Sequence, residues 1–309
     1  MSATSRTMVS RLLMIVLTGL LCVACVTRPS AVPRSEDLTL QGWKKIAPSK
    51  GDKDIAYCAN WATQSWDITA VGDAISVSKS SSPMRRDVSA PEAVPEQVRL
   101  RAASSRLRAI GGTAQFHEVK DGWLVSTDAG EWGASVWWFA ADGSTGYEVS
   151  REHVVYFVPL GTRIFALTGL AHLGLSKGSL VEFFRDGDDG WKSREIADLG
   201  DAPDHFRLES QTALMVLSRS KLLRISTNGH IETLHTGGQW SWAILRKPNT
   251  FAVKDDTIYL GLRLIVSKLE RKGGRYNEEW YLPPDCPEIR KLPGIRCMCV
   301  GGMGEYWQR

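Results

Sequence analysis

The sequence predicts an all-β fold built from about five repeats of four antiparallel strands, and three observations carry that prediction. Turn residues recur at Gly72, Asp121, Gly161, Gln211 and Asp255, at separations of 49, 40, 50 and 44 residues. The segments between them alternate apolar and polar residues over short stretches, as strands with one buried face do. Asp-Gly and Asn-Gly pairs join these segments, and both are hairpin chemistry because the central turn positions want positive φ. Four strands in a repeat of about 40–45 residues is the pattern of a β-propeller. The competing architecture from the same pattern is an irregular β-sandwich or barrel.

The chain begins with a different kind of segment. Its first 25 residues hold Arg6 and Arg11 and no acid, and an apolar run extends from Leu12 to Val26, broken by Thr18 and Gly19. A helical membrane span needs about 20 apolar residues, so this shorter run reads as an export signal. Arg28-Pro29-Ser30 ends any helix there, because proline disfavours helical backbone in the residue before it.

Val23-Ala24-Cys25 resembles the end of the bacterial lipobox, in which a small residue precedes the cysteine that carries lipid. Cys22 stands where that pattern prefers Leu. The resemblance implies a signal peptide over 1–25 and lipidation at Cys25; the short proline-containing stretch 26–36 then reads as a tether, and the repeats place a single propeller-like domain with a disulfide-stapled C-terminal tail over 37–309. Val26 occupies the place of an inner-membrane retention Asp, which favours the outer membrane, on its periplasmic side. Each buried methylene contributes about 0.8 kcal/mol, so several acyl chains give lasting attachment.

The repeats follow. The first reads "ITAVGDAISVSK", then an insertion, then "QVRLRAASSRLRAI", taken as its second pair of strands. The second is the clearest: "FHEVKDGWLVST", the loop "DAGEWGA", then "SVWWFAADGSTGYEV". The third is "VVYFVPLGTRIFALT", a loop "GLAHLGLSKG", then "SLVEFFRDGDDGWKSREI". The fourth has a short central link, and the fifth runs from "WAILRKPNTFAVKDDTIYLGL" to "EEWYL". The stretch Gly122–Leu180 also resembles a set of uncharacterised bacterial exported proteins with propeller-like repeats, which implies the fold and no reaction.

Composition narrows the function classes. With Arg6 and Arg11 removed, 36 basic residues face 34 acidic ones, so no concentrated basic stripe supports a nucleic-acid partner. Four cysteines remain in the mature chain: Cys58, Cys286, Cys297 and Cys299. In an oxidising compartment they form two disulfides with three possible connectivities. A Cys297–Cys299 bridge would close a very tight ring, so Cys58 is expected to join the C-terminal trio. The rival is a Cys₄ zinc site, which the C-x-C spacing fits poorly. No cofactor or metal is expected: "RDGDDG" at 185–190 lacks the alternating ligands of a calcium loop and reads as a turn.

A propeller sorts its loops. With strands a to d in each repeat, the a–b and c–d turns lie at one end, and the b–c loops and blade connections lie at the other. The varied loops fall at the second end, and binding residues concentrate on such loops. The candidate ligand face therefore holds Asp128, Glu131, Trp132 and His172, joined by His205 and Trp240 from blade connections. Two carboxylates and an imidazole suit acid–base work or a metal. Each also has a structural reading: Asp128 fixing its own turn, Glu131 solvated, His172 packed. The favoured function is a membrane-tethered, non-catalytic module for a protein or glycan ligand. The alternative is a hydrolase or lyase using Glu131, Asp128 and His172.

Overall fold

The second repeat shows how this sequence makes a blade, and its neighbours repeat the scheme. In the computed structural model the described residues are 38–48, 55, 58–59, 62–72, 74–80, 91–238, 240, 248, 250–292, 296–300 and 306–307. Strand β1 (Lys44–Ile46) comes first, followed by the hairpin β2 (Trp66–Val71) and β3 (Ala74–Lys79). The second repeat is β4 (Thr113–Val119), β5 (Gly122–Asp128), β6 (Ala134–Ala140) and β7 (Gly146–Ser150). The third is β8 (Val154–Leu160), β9 (Arg163–His172), β10 (Leu175–Arg185) and β11 (Trp191–Asp198). The fourth is β12 (Pro203–Leu208), β13 (Ala213–Ser218), β14 (Lys221–Ser226) and β15 (Ile231–Thr236). The fifth is β16 (Thr250–Lys254), β17 (Thr257–Gly261), β18 (Val266–Lys272) and β19 (Arg275–Leu282).

Each of repeats two to five is an antiparallel meander in chain order, and β1 adds a fifth strand to the last sheet beside β19. The fold is all-β and propeller-like, with four complete blades and a first repeat reduced to a hairpin. All five sequence turns fall between the first two strands of their repeats. A C-terminal sheet of β20 (Ile289–Leu292), β21 (Arg296–Cys299) and β22 (Tyr306–Trp307) completes the described chain.

Two expectations are corrected. "QVRLRAASSRLRAI" forms helices α1 (Glu96–Ala103) and α2 (Arg106–Ala109) rather than strands. Ala and the long unbranched Arg and Gln side chains favour helix, and Ser105 caps α2 by accepting from the Arg108 N–H. Val98 and Ala102 of α1 then cover Trp123, Val125 and Phe139, a face of the second blade that would otherwise meet solvent. "GLAHLGLSKG" is no loop either. It extends β9 to His172 and starts β10 at Leu175, leaving a two-residue tip of Leu173 and Gly174.

The blades pack face to face along the chain. On β5 the side chains alternate: Leu124 packs with Val154, Ala166 and Val181 of the third blade, while Trp123 and Val125 face the helices. Contacts between blades form at both strand ends. Arg185 pairs with Asp121 at the short-turn end, and at the other end the Asp201 carboxylate accepts from Ser176 Oγ and from the Ser220 N–H, the latter at 3.1 Å. The Cys58–Cys297 disulfide joins the N-terminal part of the domain to its C-terminal sheet, and Cys286–Cys299 closes a local loop onto that sheet. Two disulfides are what an oxidising compartment maintains, which accords with export.

Candidate functional site

The site is built by the loop after β5. Asp128 ends the strand, and its Oδ1 accepts the Gly130 N–H at 2.7 Å. Gly130 (φ 61°) and Gly133 (φ 116°) take left-handed conformations that side chains resist. The Ala129 N–H donates to the Gly133 carbonyl at 2.9 Å and closes the loop. The sequence D-A-G-E-W-G thus folds into a single 3₁₀ turn, Gly130–Trp132, whose remaining residues Glu131 and Trp132 point outward.

Across the seam stands the β9–β10 hairpin of the next blade. His172 ends β9, and its Nε2 lies 2.7 Å from Glu131 Oε2, with both side chains about two-fifths exposed (43% and 40%). Asp128 does not join this pair. Its Oδ1 lies 3.0 Å from His153 Nδ1, in the connection between second and third blades. Both imidazoles therefore face carboxylates, and the two pairs flank one loop. Beside His153 lies a polar cavity of about 400 Å³, lined by Thr168, Lys177, Ser179, Glu195 and Asp198 among others.

Exposed apolar side chains adjoin the Glu131–His172 pair: Trp132 and Leu173 follow its two members in sequence, and Leu175 pairs with His172 in the hairpin. Trp132 is 69% exposed, Leu173 85% and Leu175 51%. Leu173 has φ 51° at the hairpin tip, a conformation that costs a non-glycine residue about 1–2 kcal/mol. An exposed leucine in strained backbone does not stabilise the fold. Local strain of this kind gathers at functional positions.

The other two candidates lie elsewhere. His205, in β12, is half-buried at the seam of the third and fourth blades, with its Nδ1 3.3 Å from Tyr156 Oη. Trp240 is a correction: only 2% of it is exposed, its Nε1 donates to the Ser218 carbonyl at 3.1 Å, and it belongs to the core rather than to a ligand face. Its sequence neighbours Ser241 and Trp242 lie outside the described residues, as does the lipidation position Cys25.

Two features escaped sequence reasoning. The connection around His153 was expected at this end of the blades, but its pairing with Asp128 was not, although a residue just after strand d of one blade lies at the same sheet end as Asp128, which closes strand b. Gly174-Leu175-Ser176-Lys177-Gly178 has the spacing of a serine nucleophile elbow. That motif requires a strand-to-helix turn. Here it lies on a β-hairpin, and Ser176 Oγ is bonded to Asp201. Among the described residues no cluster of three or more His, Cys, Asp or Glu is arranged to hold a metal.

No family model and no curated protein matches the chain. Among solved structures it is similar to a glucose dehydrogenase at 12% identity and a TM-score of 0.28, covering 60% of this chain and 90% of that one. It is also similar to the hemopexin-fold protein CP4 from cow pea, at 9% identity and a TM-score of 0.20, covering 55% of this chain and 92% of that one. Likeness at these scores carries no argument about activity.

Proposed function

We propose that the chain is an exported, non-catalytic binding module, tethered to a bacterial membrane by lipid on Cys25, that docks a protein partner through the loop side of its second and third blades. The observation behind this reading is Leu173: a leucine 85% exposed at a hairpin tip, in backbone that glycine would hold more cheaply. With Trp132 and Leu175 it forms the apolar group that interface anchors require, and the Glu131–His172 pair braces the two elements that carry it. The acid–base alternative draws less support, because Asp128 is engaged by His153 and Gly130 instead of converging on Glu131 and His172. A glycan ligand is the second reading, favoured by the polar cavity beside His153.

A photoreactive residue in place of Trp132 tests the docking surface in intact cells, with the same residue in place of Val71, 65% exposed, as the control. A discrete protein adduct from position 132, absent from position 71, is expected. Leu173→Gly should abolish that adduct while raising stability by about 0.5–1 kcal/mol, because the strain is relieved. Equal adducts from both positions, or an adduct indifferent to Leu173→Gly, would overturn the reading.

A further inference from the structure

The second blade has another open site on its opposite face. There α1 and α2 cover β5 and β6 incompletely, leaving a cavity of about 400 Å³, inside the size range of small-molecule sites. Its lining divides by chemistry. Val125, Trp137, Phe139 and Leu107 supply the apolar wall, and the Trp137 and Phe139 rings lie nearly parallel, 13° apart in plane with centroids at 6.0 Å. Thr127 Oγ1 and Ser135 Oγ, 2.9 Å apart, supply a polar edge.

The charged lining is cationic in effect. Arg101 and Arg106 face one carboxylate, that of Glu148, which already holds Arg151 at 2.8 Å. Arg101 donates one N–H to the Ser144 carbonyl at 2.7 Å and stands 6.0 Å from the Phe139 ring centre, and a guanidinium has five N–H donors. Arg106 forms no ion pair with any described residue. Two guanidinium groups at the edge of an apolar aromatic wall match a carboxylate on an apolar body, and the planar fork of arginine suits that group better than any other cation.

We infer that this cavity binds a small amphipathic carboxylate, its aromatic or short acyl body against Trp137 and Phe139 and its carboxylate at Arg101 and Arg106. The parity of β5 makes the site independent of the docking surface. Val125 and Thr127 line the cavity, whereas Leu124 packs on the third blade and Asp128 reaches His153.

The test uses the folded domain and two probes of similar body, 1-naphthoate and the neutral 1-naphthamide, with quenching of tryptophan fluorescence as the readout and calorimetry as the check. Saturable binding of one naphthoate per chain is expected, with naphthamide weaker. Arg106→Gln should weaken naphthoate about tenfold, the scale of one charge-assisted hydrogen bond, and leave naphthamide unchanged. Arg106→Glu should weaken naphthoate further, and neither change touches the core. Trp132→Ala and Leu173→Gly should leave both probes unaffected, so failure here and failure of the docking surface are told apart. Absence of saturable binding, equal affinity for the two probes, or naphthoate affinity unmoved by Arg106→Glu would overturn the inference.

Discussion

The loop side of this molecule has a sealed part and an open part, and they were equally eligible from the sequence. At the seam of the second and third blades, Glu131, His172, Trp132 and Leu173 face solvent. Beyond the fourth blade, Trp240 is buried against His235, their ring centroids 5.6 Å apart, and shares one core cluster with all four disulfide cysteines. Both parts are blade connections or central loops rich in aromatic and ionisable residues. What separates them is cover. The Cys58–Cys297 bridge and the C-terminal sheet close over the later seam, while the earlier one has only a six-residue turn and a hairpin tip to cover it. Residue type therefore does not distinguish anchor from core here; the neighbouring elements do.

The largest effect should come from unsealing the closed part. Replacing Cys58 and Cys297 together by Ser removes a cross-link spanning 239 residues, for which the chain-entropy model gives roughly 5 kcal/mol. Chemical denaturation should show that loss with the probe affinity of the second blade's cavity intact, and an unchanged midpoint would mean the bridge is not what seals this part. Trp240→Ala follows, at roughly 4 kcal/mol, since it removes a fully buried indole and orphans the Ser218 carbonyl. Were Trp240 instead a ligand contact, its melting curve would match the wild type.

Charge sharpens the same contrast. Glu182 is buried between two cations, with Arg163 Nε at 2.6 Å and Arg194 Nη2 at 2.6 Å, and Arg163 first, then Arg194, holds its carboxyl below the usual glutamate value. A depressed folded pKa means the contribution is complete above the unfolded value near 4.5 and is lost as pH falls through the lower folded one. His117 and His235 are held below the usual imidazole value by burial, so stability should already decline as pH drops under about 6.5. Glu182→Gln should cost on the order of 2 kcal/mol at neutral pH and flatten the acid limb of the stability curve below pH 4.5. A curve parallel to the wild type there would exclude Glu182 as its source. The smallest effect belongs to the open part. Glu131→Ala and His172→Ala should each change stability by about 0.5 kcal/mol or less, as exposed pairs do, and a large loss would make the pair structural.

The repeats and their punctuation are legible along the chain. Turn chemistry at Gly72, Asp121, Gly161, Gln211 and Asp255 is local, set by φ requirements and by apolar alternation, so it survives without knowledge of neighbours. That Cys58 meets the C-terminal trio followed from pairing all four cysteines, and ring size disfavoured only Cys286 as its partner, although the choice of Cys297 over Cys299 did not follow. Packing between elements settled the rest. "QVRLRAASSRLRAI" alternates well enough to pass for strands; its Ala, Arg and Gln and the Ser105 cap favour helix locally, and the uncovered face of the second blade gives Val98 and Ala102 a place to pack. "GLAHLGLSKG" carries loop residues yet pairs as strands, and its Gly169 and Gly178 lie against Pro203 and Asp201, where a side chain would collide. The ion pair of Glu131 with His172, like the engagement of Asp128 by His153, joins residues 41 and 25 positions apart. No local pattern encodes such contacts, because they depend on how neighbouring sheets stack, and stacking is settled by the summed packing of two whole blade faces.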